Sequence, residues 1–79
     1  MFTYKTSGVC SRQIDFDIVD GKVHSVKFTG GCNGNLQGIG HLIEGMEVHE
    51  AISRLEGIRC GMKPTSCPDQ LSKALKERV

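Results

Sequence analysis

The spacing of the apolar residues changes once along the 79-residue chain, at Gly30-Gly31. Before this point apolar and polar residues alternate, which is typical of strands with one buried face. After it the apolar residues recur every three or four positions, which predicts helices. The sequence therefore predicts one α+β domain over residues 1–79, with a three-stranded antiparallel sheet followed by three short helices.

Three strands are predicted in the first thirty residues. The apolar residues of the first two are Phe2, Tyr4, Ile14, Phe16 and Ile18. Asp20-Gly21 is a strong hairpin signal and leads into the third strand, KVHSVKFT at 22–29. In that strand Val26 and Phe28 agree in phase, but Val23 is out of step. Either a bulge in the strand or burial of both faces of the strand would explain why Val23 is out of phase.

Three helices are predicted after the glycine turn. Their apolar residues are Leu36, Ile39, Leu42, Ile43 and Met46 in the first, Val48, Ala51, Ile52 and Leu55 in the second, and Leu71, Ala74 and Leu75 in the third. Gly57 is expected to end the second helix, and Pro68 to open the third behind Ser66 or Cys67 as its cap. The first helix also carries several glycines, which disfavour a helix unless they allow close backbone packing.

Charge and hydropathy narrow the range of partners. Ten Lys and Arg residues against nine Asp and Glu give a net charge of +1, which disfavours a nucleic-acid partner bound through phosphates. No apolar run approaches the ~18 residues of a membrane span. The first residues lack the basic and apolar regions of a signal peptide. We therefore expect a protein of the reducing cytoplasm, where structural disulfides are rare.

The four cysteines are predicted to gather at one end of the molecule. Cys10 precedes the second strand and Cys32 follows the third. Because the hairpin arms have equal lengths, these two sulfurs are expected to lie nearly opposite each other. The loop that carries Cys60 and Cys67 then needs only to fold onto that end. Four thiolates in a reducing compartment predict a zinc site or, as the alternative, an iron–sulfur cluster.

Other readings of the four cysteines stay open. They could form two disulfides in three connectivities. Cys60 and Cys67 could act as a redox dithiol that exchanges with a partner's disulfide, although their spacing is wider than in tight dithiol motifs. All four could be unrelated core thiols. Metal ligation is favoured because the cysteines lie at element boundaries beside glycine or polar residues, outside the apolar stripes.

Weaker signals suggest further ligands. The glycine-rich turn at 30–35 leads from a strand into a helix, as in phosphate sites, but it lacks the P-loop Lys-Ser/Thr and the dinucleotide spacing. A nucleotide partner is thus weakly indicated, and a tight turn beside Cys32 is preferred. His24 and His49 are expected at the surface, whereas His41 merits a test as a ligand. The sequence shows no complete set of catalytic residues.

The segment Thr65 to Asp69 reads TSCPD, and the chain resembles the small four-cysteine branch of the TSCPD-domain family. The segments FTGGCNGNLQGIG at 28–40 and GIRCG at 57–61 carry the same resemblance. The same domain closes the C-terminus of adenosylcobalamin-dependent ribonucleotide reductases. The resemblance therefore implies a ribonucleotide reductase or another redox enzyme as partner. It does not imply nucleotide reduction by this chain, because 79 residues cannot hold the barrel, cobalamin site and radical cysteine.

The order of elements is also similar to the U-type iron–sulfur assembly scaffolds. Cys10, Cys32 and Cys67 match the places of that family's three cysteines. Ser66 stands where the scaffolds carry a histidine, and Ser11 where they carry an aspartate that aids cluster release. Cys60 would supply the fourth sulfur. These departures favour a site that retains its metal over a scaffold that transfers a cluster.

Overall fold

The computed structural model describes residues 1–31 and 33–79 and contains three strands followed by three helices. The strands are β1 (Phe2–Lys5), β2 (Ser11–Val19) and β3 (Lys22–Gly30), and the helices are α1 (Asn33–Ile43), α2 (Val48–Leu55) and α3 (Cys67–Lys76). The predicted α+β architecture is confirmed. Within the described ranges, no helix combines the length and the apolar character needed to cross a membrane.

The sheet is an antiparallel meander in the order β1-β2-β3. The hairpin of β2 and β3 runs from Val19 opposite Lys22 at the turn to Ser11 opposite Gly30 at the far end. Asp20-Gly21 forms the turn with φ angles of 53° and 74°, as a two-residue turn with both residues left-handed requires. The hairpin predicted from Asp20-Gly21 is therefore confirmed.

A bulge in β3 explains the phase of Val23. The register shifts between Asp15 and Asp17 of β2, so that two residues of β3 oppose one of β2. Ser25 is the bulged residue, with a φ of 59°, and its N–H donates to Glu44 Oε1 at 2.9 Å. The extra residue returns Val23, which is fully buried, to the same face as the apolar residues of β2. Of the two explanations that the sequence left open, the bulge is correct.

The helices cover one face of the sheet. The core consists of Ile14, Phe16, Val23, Ile43, Val48, Ala51, Ile52, Leu55, Leu71, Ala74 and Leu75. Backbone bonds join the hairpin to the turn between α1 and α2, since Val23 N–H donates to Met46 O at 2.9 Å and Val48 N–H donates to Gly21 O at 2.8 Å. These bonds fix the start of α2 against the turn end of the hairpin and leave the open end to α3 and its loop.

Helix α1 differs from the sequence prediction in two respects. Only Gly40 packs closely, because a Cβ at this position would lie 3.1 Å from Val26 O, whereas Gly34 and Gly38 face open space. The close packing predicted for the glycines is therefore confirmed at Gly40 and wrong at Gly34, Gly38 and Gly45, since a Cβ at Gly45 would also meet nothing within 4 Å. Leu42, predicted to lie on the buried stripe, is 80% exposed. Helix α1 buries a narrow face against β3, and Leu42 lies outside it.

Candidate cysteine site

The structure places three of the four predicted ligands on three different segments. Cys10 ends the loop before β2, Cys60 lies in the loop between α2 and α3, and Cys67 is the first residue of α3. All three are free thiols; Cys10 and Cys60 are exposed and Cys67 is half-buried. Cys32, the fourth predicted ligand, lies outside the described residues.

The three described cysteines line one pocket of about 270 Å³. Its apolar lining includes Leu36 and Ile39 of α1, and Lys63 brings a positive charge to the same pocket. Within residues 1–31 and 33–79, however, no three cysteine, histidine or carboxylate side chains are grouped closely enough to hold a metal ion. The three segments thus open onto a common space, and the four-cysteine ligand set stays a prediction.

Helix α3 begins with a well-formed cap that positions Cys67. Ser66 is the N-cap, and its hydroxyl accepts a hydrogen bond from Asp69 N–H at 3.2 Å and donates one to Ile58 O at 2.6 Å. Pro68 occupies the first turn, where its missing N–H has no helical partner to lose. The predicted cap at Ser66 is confirmed, and it places the Cys67 side chain at the positive end of the helix.

The carboxylate of Asp69 ties the Cys60 loop to α3. It accepts hydrogen bonds from Gly57 N–H at 2.8 Å and from Thr65 Oγ1 at 2.5 Å, and it lies 3.6 Å from Lys73 Nζ. The hydroxyl of Thr65, the N–H of Gly57 and the ammonium of Lys73 hold the pKa of Asp69 below its usual range, against the opposing effect of burial. Both ends of the loop are therefore fastened to one buried carboxylate.

The side chain of Gln70 makes the corresponding connection to the Cys10 loop. Its Nε2 donates to Thr65 Oγ1 at 3.1 Å, and its Oε1 accepts from Ser7 N–H at 3.3 Å. Gln70 is 4% exposed; its bond to Thr65 is buried, and its bond to Ser7 is partly buried. We call Thr65, Ser66, Asp69 and Gln70 the α3 frame, because these four residues join both cysteine-bearing loops to the start of α3.

The hydroxyl of Ser11 contacts the sulfur of Cys67 directly. Ser11 Oγ donates to Cys67 Sγ at 3.0 Å, and Ser11 is 3% exposed. From the sequence alone, Ser11 was noted only because it stands where the scaffold family carries an aspartate. A signal was nevertheless present, since Ser11 follows one cysteine directly at the open end of the hairpin, where the other cysteines were expected.

The glycine turn before α1 has a structural reason in its packing. Gly31 has a φ of 80°, and a Cβ there would lie 2.8 Å from Leu36 Cδ1 and 3.2 Å from Ser11 N. Only glycine satisfies both the backbone conformation and this close approach. The packing is sufficient to account for Gly31, and the weakly indicated nucleotide stays a prediction.

The histidines lie elsewhere. His41 lines a second pocket together with Ser25 and Glu44, and it does not line the cysteine pocket. Ser25 N–H and the His24 ring, with a smaller effect of His41, hold the pKa of Glu44 below its usual range. His41 therefore does not join the three described cysteines at their pocket, and the ligand prediction remains with the cysteines.

Comparison with known protein families gives a match over almost the whole chain. A sequence model described as "TSCPD domain" matches residues 2–79, almost the whole chain. Searches of curated proteins and of solved structures found no match.

Proposed function

The chain belongs to the TSCPD domain family, and from this premise we propose that its cysteine pocket is a metal-binding site with zinc as the expected ion. The proposed ligands are Cys10, Cys32, Cys60 and Cys67. An iron–sulfur cluster is the alternative occupant, because it uses the same four thiolates.

One observation carries this proposal: free thiols from three separate segments line a single pocket. Unrelated core thiols would be expected inside the apolar core, whereas Cys10 and Cys60 are exposed. Apolar side chains of α1 line the pocket together with the half-buried Cys67, and reduced access of water there strengthens the attraction between a cation and this thiolate. The donor set therefore fits a sulfur-liganded metal.

The anchoring of the ligands suggests that metal binding also stabilises the fold. Cys67 is fixed on α3 by its cap, whereas Cys10 and Cys60 lie on loops outside the regular elements. Since no three potential ligands within the described ranges are grouped for binding, a bound ion would have to draw the loop thiols closer. Part of the binding free energy would then stabilise the closed arrangement of the loops.

Elemental analysis of protein purified without chelator tests the proposal. We expect about one equivalent of zinc per chain, because four-thiolate sites bind zinc tightly. Substitution of Cys67 by Ser should release most of it, whereas His41→Gln, which changes a side chain outside the pocket, should retain it. Less than about a third of an equivalent of any metal, before and after anaerobic supply of zinc or of iron and sulfide, would refute metal binding.

A redox relay is the second candidate function. Cys60 and Cys67 line the pocket together with two cationic side chains, Arg59 and Lys63, which would favour thiolate attack on a partner's disulfide. We propose a ribonucleotide reductase or a similar redox enzyme as the partner. If a Cys67→Ser variant still supports turnover of that partner, the relay is excluded.

A further inference from the structure

We propose that Ser11 is a positioning residue of the cysteine pocket. Its buried hydroxyl donates to Cys67 Sγ and thereby orients this sulfur toward the proposed metal. This inference rests on the proposed function, since it concerns the strength and the spectrum of metal binding at the same pocket.

The backbone around Ser11 fixes the position of the hydroxyl. Ser11 pairs with Gly30 at the open end of the hairpin, and its carbonyl accepts a hydrogen bond from Thr6 Oγ1. On a third side, Gly31 approaches so closely that a Cβ there would lie 3.2 Å from Ser11 N. Because three neighbours constrain the main chain, the Ser11 side chain is held within hydrogen-bonding reach of Cys67 Sγ, and rotation about one bond is enough for the hydroxyl to donate to it.

The chemistry of a thiolate ligand explains the use of a donor here. A metal-bound sulfur keeps negative charge and lone pairs, and a hydrogen bond to such a charged acceptor is stronger than a neutral one. Groups that hydrogen-bond to metal ligands orient them and tune their donor strength. Ser11 is 3% exposed, so water cannot easily replace its hydroxyl. No other hydrogen bond to Cys67 Sγ is present among the described residues.

Ser11 also connects two of the proposed ligands. It follows Cys10 in the chain and bonds to Cys67, 56 residues further on. The hydrogen bond therefore sets the first turn of α3 against the strand end that carries Cys10. Loss of the hydroxyl is expected to weaken both the orientation of the Cys67 sulfur and the spacing between the two ligand segments.

The test compares Ser11→Ala with Ser72→Ala in the full chain. Ser72 is a matched control, because it is 1% exposed and its hydroxyl donates to Asp69 O, a backbone acceptor. Zinc affinity is measured by competition with a chromophoric chelator, and the sulfur-to-cobalt charge-transfer bands are recorded after substitution with Co²⁺. We expect Ser11→Ala to weaken zinc binding by about 10-fold or more and to move the bands to longer wavelength, because an unbonded thiolate gives up its electron more easily. Ser72→Ala should leave the affinity within about 2-fold and the bands in place.

A second pair of variants separates the hydroxyl from packing. Threonine and valine have nearly the same shape, so Ser11→Thr should bind zinc about 10-fold more tightly than Ser11→Val if the hydroxyl is responsible. Equal affinities and spectra in both comparisons, in a protein that does bind zinc, would overturn the role of Ser11 and leave the metal site standing. Failure of the unsubstituted chain to bind either ion would overturn the metal site itself and the inference with it.

Discussion

Replacement of Asp69 by Asn tests the α3 frame, because it keeps the shape of the side chain and removes its charge. Asp69 accepts from Gly57 N–H and Thr65 Oγ1 and is 7% exposed. Hydrogen bonds to a charged group contribute about 1.5–3 kcal/mol and neutral ones about 0.5–1.5 kcal/mol. The two donors bond to different oxygens of the carboxylate, and an amide keeps only one of them. One bond therefore becomes neutral and the other loses its acceptor, each at a cost of about 1 kcal/mol, and the pairing with half-exposed Lys73 adds little. We expect the free energy of unfolding to fall by about 2 kcal/mol.

The difference in free energy of unfolding between the parent chain and Asp69→Asn should depend on pH. The hydrogen bonds from Thr65 and Gly57 hold the pKa of Asp69 in the folded chain below its usual range. As the pH falls, the unfolded chain therefore takes up this proton first, below about pH 4. The contribution of Asp69 is fully present above that pH and is lost as the pH falls through the folded pKa. The difference between the parent and Asp69→Asn should be largest at neutral pH and shrink at acid pH.

Urea unfolding followed by circular dichroism, with chelator present so that metal does not contribute, measures this difference at pH 7 and pH 3. The expected loss at pH 7 corresponds to a melting temperature lower by roughly 8–16 °C for a domain of this size. Glu77→Gln is the matched control, since it removes one carboxylate charge at the exposed C-terminal end of α3. An Asp69→Asn variant as stable as this control at pH 7, or a difference that grows toward acid pH, would refute the role given to Asp69.

Two further pairs of variants test local packing and capping by the same unfolding measurement. Gly38→Ala should raise the free energy of unfolding by about 0.5–1 kcal/mol, because this helical position faces open space. Gly40→Ala should lower it by about 1 kcal/mol, because its Cβ would press on Val26 O at 3.1 Å; equal effects would refute close packing at α1. Ser66→Ala removes the N-cap of α3 and should cost about 1–2 kcal/mol. Ser53→Ala, at an exposed hydroxyl within α2, should change stability by less than about 0.5 kcal/mol, and a similar loss in both would contradict the cap.

The sequence predicted those parts of the fold that depend on local chemistry. Asp20-Gly21 adopts the hairpin turn because both residues tolerate a positive φ. The bulge at Ser25 could not be predicted with certainty, because the Ser25 N–H donates to Glu44, 19 residues away. No pattern in the sequence near Ser25 indicates this partner. Leu42 has helical spacing, but spacing alone does not tell how wide a face of α1 the sheet will bury.

At the candidate site, too, the features that depend on local sequence were predicted, and the contacts between distant residues were not. Hairpin geometry and the proline-flanked loop predicted that all four cysteines would gather at one end of the molecule. Cys10, Cys60 and Cys67 line one pocket, but no three potential ligands among the described residues are grouped closely enough to hold a metal ion, and the four-cysteine site stays a prediction. The supporting bonds were not predicted. Ser11 bonds to Cys67, 56 residues away in the sequence, and Asp69 bonds to Gly57, 12 residues away. Such hydrogen bonds can be identified only once the positions of the loops are known.

The α3 frame explains how the segment Thr65 to Asp69, which contains one cysteine, can position several cysteines of the candidate site. Asp69 fastens both ends of the Cys60 loop, while Gln70 fastens the Cys10 loop through Ser7. The start of α3 is therefore the common reference from which the described thiols are placed, and Cys67 is the thiol built into that reference. It follows that a change at Asp69, whose hydrogen bonds and ion pair within the described residues involve no sulfur, should weaken the proposed metal binding as well as folding. Ser11→Ala should weaken the proposed metal binding more than folding, since its hydroxyl bonds to a sulfur directly and makes one hydrogen bond between β2 and α3, whereas Asp69 makes several.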